Sequence, residues 1–370
     1  MSSNGYSVSS LSQISPVPHE TLEHQCITTL KIQNPHISCL AAHNNLLYAA
    51  SINEISVFDL SNYAFIDMFN NDLASGSVKS IAFSSTNKVF TAHQDCKIRV
   101  WQMTPSKRHQ LVSTLPTVID RFLHFMLPKN YTTVRRHKKR LWLEHWDTVS
   151  HLVVTEGLMY SVSWDKSFKI WNPTTYRCLE SVNAHQDAVN AVAVSDIGVV
   201  YTASADGLIR VWERVDKDSK HKLIATLEKH KAPVNALALK RDGSFLFSGG
   251  CDRSIVVWRR ESSVHRMVFV EALWGHTGAI LCLINADDLI VSGSADQTVR
   301  VWQHGENGYR CNTILKGHEK PVKSLVNVKS GSRGGVVSIC SGSLDGEVKV
   351  WEVSKKKLKK FELYKLSSKE

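Results

Sequence analysis

The 370-residue sequence has no run of eighteen apolar residues, so no segment is suited to crossing a bilayer as a helix. Its first thirty residues lack the basic start and apolar centre of a secretory signal. No C-x-x-C pair occurs. The eight cysteines, Cys26, Cys39, Cys96, Cys178, Cys251, Cys282, Cys311 and Cys340, are scattered, which disfavours a zinc site and leads us to expect mostly buried, reduced thiols in an intracellular protein. A nucleophile elbow of the form G-x-S-x-G, a phosphate-cradling glycine loop and an isolated catalytic constellation are also missing. Nothing here asks for a cofactor or a metal. The expectation is a soluble, intracellular monomer that works away from membranes.

What is present is ordinary globular composition, 43% hydrophobic and 21% charged, with a formal net charge of +11. Much of that charge sits at Arg135–Arg140 and Lys355–Lys360. Such runs suit acidic protein surfaces, phosphates or an import receptor about as readily as nucleic acid.

The chain is built on one returning unit, plainest in Gly275–Trp302 (GHTGAILCLINADDLIVSGSADQTVRVW). An Asp stands six residues before the Trp, a Ser ten residues before it, and a Gly-His pair ahead of the first apolar run. Six tryptophans share the two offsets: Trp101 with Asp95 and Thr91, Trp171 with Asp165 and Ser161, Trp212 with Asp206 and Thr202, Trp258 with Asp252 and Ser248, Trp302 with Asp296 and Ser292, and Trp351 with Asp345 and Ser341. A degraded seventh copy ends at Phe58. Successive ends are 41 to 49 residues apart except for one gap of 70, so the chain is a repeat array with one insertion. Within each unit apolar residues alternate over four to six positions, as in Val189–Val194 and Val234–Leu239, and turns follow. Period two means strands, four to a unit. Units of this length with these marks resemble the WD-repeat propeller, which implies an all-β fold of seven four-stranded antiparallel blades closed in a ring.

The four marked positions can form one hydrogen-bonded chain. The Asp accepts from the His, the His meets the Ser or Thr, and that hydroxyl takes the indole N–H. Five units carry the His: His145, His185, His230, His276 and His318. Each net hydrogen bond of this kind is worth about 1 kcal/mol, and those to charged groups about 1.5–3 kcal/mol. A Ser, a His and an Asp also invite a hydrolase reading. A hydrolase needs one triad beside one oxyanion hole, whereas this set recurs five times with a Trp to receive it, so the expected role is structural.

Residues 1–23 read as a disordered Ser-rich tail, 24–354 as the propeller and 355–370 as a basic, solubilising tail. Two segments compete to close the ring beside Val348–Val353: Cys26–Lys31, which is preferred, and Phe361–Leu366. Unit one has Phe58 for Trp and Asn53 near the Asp position, and unit two has Ala74 in place of His; both should lack the full hydrogen-bond chain and form the softer part of the ring. The likeness of His109–Leu115 (HQLVSTL) to His221–Leu227 (HKLIATL) marks the outer strand of blade 2 and places the insertion at about 116–143. There Val118, Phe122 and Phe125 recur at helical spacing behind a capping Thr117, followed by irregular chain. Its basic end, Arg135, Arg136, Lys138, Lys139 and Arg140, precedes Trp146 and Trp164, two tryptophans extra to the repeat. These residues are either solvated loop and bracing aromatics or a candidate partner surface opening on one face of the disc. The basic run also reads as an import signal.

Strings inside and after the insertion narrow the likeness. TLPT at Thr114–Thr117, KNY at Lys129–Tyr131, VRRHKKRLW at Val134–Trp142, SVSWDKSFKIW at Ser161–Trp171 and AHQDAVNAV at Ala184–Val192 resemble the plant JINGUBANG-like WD-repeat proteins. That resemblance implies a non-catalytic plant protein that assembles or regulates protein partners, with growth or pollen development as the setting and access to both cytoplasm and nucleus. Two other functions stay open. A substrate receptor of a cullin-based ubiquitin ligase would favour Trp-Asp-x-Arg at a blade end, but Gln102, Asn172, Glu213, Arg259, Gln303 and Glu352 follow the tryptophans here. A nucleic-acid-binding propeller would use the basic insertion, with affinity that falls steeply with salt.

Overall fold

Seven four-stranded antiparallel sheets follow one another around a ring in the computed structural model, which describes residues 22–135, 138–155, 157–214, 220–261, 266–328 and 335–355. Six blades are contiguous in sequence, from inner to outer strand: Ile37–Phe69, Val78–Leu115, Val149–Asn183, Val189–Glu228, Val234–Leu273 and Ile280–Leu315. The seventh combines Val322–Val328, Val336–Ser343 and Glu347–Lys355 with an outer strand from the other end of the described chain, Leu22–Lys31. Cys26 lies opposite Trp351 and Leu30 opposite Val348. The N-terminal candidate is therefore the closing strand, while the competing Phe361–Leu366 lies outside the described residues, as do 1–21 of the predicted 1–23 tail and 356–370 of the predicted 355–370 tail; Leu22, Glu23 and Lys355, assigned to those tails, belong to the paired strands instead.

The core is divided among the seven junctions between neighbouring blades. Each repeat's marker aromatic packs against the blade before it: Trp171 sits with Phe90, Ile98 and Val100 of blade 2, Trp302 with Phe247, Ile255 and Val257 of blade 5, and Phe58 with Cys340, Val348 and Val350 of blade 7. A blade buries its apolar face only because its neighbours supply the other side, which is why a single unit could not fold alone. Glycines admit the close approach of some neighbours. A Cβ on Gly249 would lie 2.4 Å from Ile280 Cγ2, and one on Gly342 2.6 Å from Ile37 Cγ2.

The insertion departs from expectation in one respect. Thr117 does cap a helix, Val118–Phe125, its hydroxyl accepting from Asp120 N at 3.1 Å. The chain after it is not irregular: a 3-10 turn, Pro128–Asn130, leads into an antiparallel hairpin, Tyr131–Arg135 with Lys138–Leu141. The helix's orientation is something that its spacing did not specify. Asp120 is its buried residue and accepts from Cys178 N, 3.4 Å away, at the start of blade 3's outer strand. That strand starts on the side of the disc opposite Asp165, so the first turn of the helix sits beside the outer strands of blades 2 and 3, away from the face that carries the Asp turns. Its apolar side is turned outward, with Val118, Ile119, Phe122 and Leu123 all more than half exposed. Periodicity identifies a face of a helix but not what covers it.

The cysteines differ from expectation too. All eight are free, but only Cys39 and Cys340 are buried, and Cys26 and Cys251 are exposed.

Candidate functional site

The marked positions meet in five blades with nearly constant geometry. In blade 3, Trp171 Nε1 donates to Ser161 Oγ at 2.9 Å, Ser161 Oγ lies 2.8 Å from His145 Nε2, and His145 Nδ1 lies 2.7 Å from Asp165 Oδ2. The set Trp212, Thr202, His185 and Asp206 has the spacings 2.9, 2.8 and 2.9 Å. Trp258, Ser248, His230 and Asp252 repeat them at 2.9, 2.8 and 2.9 Å. Trp302, Ser292, His276 and Asp296 stand at 2.8, 2.8 and 2.7 Å, and Trp351, Ser341, His318 and Asp345 at 2.8, 2.8 and 2.9 Å. One direction satisfies every atom: indole donates to hydroxyl, hydroxyl to imidazole Nε2, and Nδ1–H to carboxylate. Each Asp also accepts the backbone N–H after the His, as Asp165 does from Trp146 N at 3.1 Å, and so pins the loop leading into the blade.

This order answers the hydrolase reading in physical terms. A nucleophilic hydroxyl must touch substrate, yet Ser161, Thr202, Ser248, Ser292 and Ser341 have no exposed surface. Among the described residues the one cluster of possible metal ligands is already engaged. His318, Asp345 and Glu347 bring three possible ligand atoms within 4.8 Å, but both nitrogens of His318 are engaged by Asp345 and Ser341, and Glu347 pairs with Lys349 at 2.8 Å.

Burial holds the His145, His185, His276 and His318 imidazoles below their ordinary 6.5, against the pull of their carboxylates. Burial alone would raise Asp165, Asp206, Asp252, Asp296 and Asp345; hydrogen bonds and the imidazoles outweigh it and lower all five, Asp296 to about 2. Both shifts act in one direction on stability. An imidazole with a folded pKa below its unfolded value contributes fully above about pH 6.5, and that contribution is lost as pH falls from there; the carboxylates add a second loss below about pH 4. Thermal melts should therefore move to lower temperature as pH falls from 7.5 to 5. A melting temperature that holds constant or rises over that interval would show that the buried imidazoles do not stabilise the ring.

Blade 2 lacks the full chain, as its sequence predicts, but another imidazole enters it, one whose Nδ1 is buried without a partner among the described residues. With Ala74 where the loop His would stand, Trp101 Nε1 still donates to Thr91 Oγ1 at 2.9 Å, and Thr91 meets His93 Nε2 at 2.7 Å. His93 comes from the strand itself, two residues on, where other blades carry Ser163, Ser204, Ser294 and Ser343. Asp95, left without an imidazole, pairs instead with Arg99 at 2.8 Å. Blade 1 does lack the chain: Asn70 Nδ2 donates to the Asn53 carbonyl, and Asn53 Nδ2 and Asn70 Oδ1 are buried without partners among the described residues.

A second set of His–acid contacts links blades at the rim. His109 Nδ1 lies 2.9 Å from Asp67 Oδ2 of blade 1, and His221 Nδ1 lies 2.8 Å from Glu180 Oε2 of blade 3. These contacts explain the likeness of HQLVSTL and HKLIATL, since in both the His opens an outer strand beside an acid on the preceding one.

The candidate partner residues divide between the disc face and the inserted hairpin, whose Arg140 charge reaches Cys96 together with those of Asp147 and Asp165. Trp164, 40% exposed, and half-buried Trp146 lie on the disc face that carries the five Asp turns. Lys139 and Arg140 belong to the hairpin, Lys139 exposed and Arg140 half-buried. Arg135 and Lys138 lie in its two strands, and Arg136 falls outside the described residues. Trp142 braces the insertion: its carbonyl accepts from buried Lys169 at 2.6 Å and its ring meets His124 edge-on at 5.7 Å.

Seven closed sheets with this hydrogen-bonded chain repeated in five of them define a propeller of the WD type. The model of the family "WD domain, G-beta repeat" matches residues 69–102, 176–213, 221–259, 267–303 and 309–352, a little over half of the chain, and the chain belongs to that family. It is 24% identical over 200 residues to an uncharacterized WD repeat-containing protein of Schizosaccharomyces pombe, covering 53% of this chain and 52% of that one. An F-box/WD-40 repeat-containing protein of Arabidopsis thaliana is 24% identical over 262 residues, 63% of this chain and 47% of that protein. Human Striatin-3 is 31% identical over 194 residues, 46% of this chain and 24% of its own. The chain thus spans about half or less of the length of these curated relatives. No described helix is long and apolar enough to cross a membrane.

Proposed function

We propose that the protein is a non-catalytic scaffold or adaptor that binds other proteins on the disc face bearing Trp146 and Trp164. The observation that carries this reading is the contrast between the polar clusters and that face. The hydroxyls, imidazoles and carboxylates that could do chemistry are consumed inside the blades, while Trp164 stands 40% exposed at the rim of the central channel. Exposed aromatics beside cations are the side chains that most often anchor a protein interface. Family membership supports the same reading, because WD-repeat proteins generally act as interaction platforms. The likeness to JINGUBANG-like proteins extends it to plant growth or pollen development, with action in the cytoplasm and nucleus.

Replacing Trp146 and Trp164 together by Ala should reduce partner capture from plant extract at least tenfold, since anchors of this kind are worth about 2 kcal/mol or more each. The melting temperature should stay within about 3 °C, as neither indole belongs to the repeated hydrogen-bond chain. Undiminished capture by the folded double variant would remove this face from consideration.

A further inference from the structure

All seven inner strands carry a β-bulge at the same place. The register slips between Ile37 and Cys39, Val78 and Ser80, Val149 and His151, Val189 and Ala191, Val234 and Ala236, Ile280 and Cys282, and Val322 and Ser324. A bulge leaves one residue unpaired and re-aims its side chain. Here the seven bulged residues, Ser38, Lys79, Ser150, Asn190, Asn235, Leu281 and Lys323, all line the central cavity of about 520 Å³. Each is the second residue of its inner strand, so the ring they form lies at the end of the channel nearer the Trp164 face.

The ring is unequal. On one side its members tie neighbouring blades together: Ser150 Oγ donates to Val189 O at 2.5 Å, Asn190 Nδ2 to Val234 O at 3.0 Å and Asn235 Nδ2 to Ile280 O at 2.8 Å. On the other side, flanking blade 1, stand Lys79 and Lys323. Among the described residues neither has a carboxylate partner, and no Asp or Glu lines the cavity. The Lys79 ammonium lies 5.8 Å from the centre of the Trp164 ring. Burial, and then repulsion from Lys323, pull Lys79 below the ordinary lysine value, so the site holds positive charge at a cost that an incoming anion would relieve.

We infer that the crescent formed by Lys79, Lys323 and Trp164 seats an acidic side chain from an extended segment of a partner protein. The anionic oxygens lie between the two ammoniums, and a neighbouring apolar residue lies against Trp164 and Ile52, which is 42% exposed in the same lining. The shared chemistry is that of a carboxylate or a phosphorylated serine. A cavity of this size admits a side chain but not a nucleic-acid duplex. This inference rests on the binding face assigned under Proposed function and names the chemistry of what that face takes.

The test uses the full chain and a random twelve-residue peptide display library. The wild type should enrich Asp or Glu beside an aliphatic or aromatic residue. The double variant Lys79→Met, Lys323→Met, which keeps both aliphatic stems, should lose that enrichment at least tenfold. Lys231→Met with Lys320→Met, two exposed lysines of the same face that do not line the cavity, should keep it, which controls for net charge. Selected peptides resynthesised with Glu or with phosphoserine at the acidic position then tell carboxylate from phosphoryl, since the preferred form should bind at least threefold tighter and lose more in the Lys79, Lys323 variant. Equal acidic enrichment by the Lys79, Lys323 variant would overturn the inference, as would enrichment of neutral or basic peptides or preferential binding of a twelve-nucleotide single strand. If partner capture fails in the Trp146, Trp164 variant while acidic selection is untouched by Lys79→Met, Lys323→Met, the binding face stands and this inference alone falls.

Discussion

Replacing Asp165 by Ala should lower the unfolding free energy by about 3–5 kcal/mol, because several buried donors lose a charged acceptor at about 1–3 kcal/mol each. Asp165 takes four donors: His145 Nδ1 at 2.7 Å, Trp146 N at 3.1 Å, Ser167 N at 3.0 Å and Ser167 Oγ at 2.6 Å. All four would be left facing a void. Its side chain is 1% exposed, against 13% for Asp252 in blade 5, where water can reach the orphaned groups. Asp252→Ala should accordingly cost about half as much. Urea unfolding of the two variants beside the parent measures both values. A loss under 1 kcal/mol for Asp165→Ala would mean that the repeated polar chain is not what fastens the loops to the blades.

Removing residues 1–31 should be as damaging. The strand Leu22–Lys31 supplies the outer edge of blade 7, runs antiparallel to Glu347–Lys355 across its whole length and places Leu22 in the junction with blade 6. At about 0.5–1.5 kcal/mol for each net hydrogen bond, and with one buried Leu exposed, the truncation should cost about 5 kcal/mol or more. It would also leave an unpaired strand edge that invites association between copies. Truncated protein that runs as an aggregate, or melts at least 10 °C lower, is the expected result. A truncated ring as stable and as monodisperse as the parent would show that closure does not depend on the N-terminal strand.

Both expectations grow from features that were legible in the chain. Six tryptophans with an Asp and a hydroxyl at fixed offsets are a regular signal because each blade must solve the same problem of seating an indole N–H in a dry junction. Where that problem is solved by another route, the signal disappears. His93 reaches Thr91 from a strand position that holds Ser163, Ser204, Ser294 and Ser343 in other blades and Gly250 in blade 5, so no offset from the loop could reveal it. The hairpin Tyr131–Arg135 with Lys138–Leu141 was hidden because its second strand is a run of cations with no alternation to read. The stripe Val118, Ile119, Phe122 and Leu123 has helical spacing whether or not anything covers it, and here it faces outward. The ring of bulged residues leaves no mark at all, since Ser, Lys, Asn and Leu share no chemistry and a bulge is a property of pairing rather than of composition.

Recognition on one face of an inert ring is the claim on which the rest depends, and site-specific photocrosslinking tests it most directly. A photoreactive amino acid is placed at Gln186, exposed on the face that carries Trp164 but not itself an anchor, or at Ile197, which is 56% exposed in a turn on the opposite face. Discrete crosslinked protein adducts are expected from position 186 and none from position 197. Adducts confined to position 197, or equal at both, would contradict it.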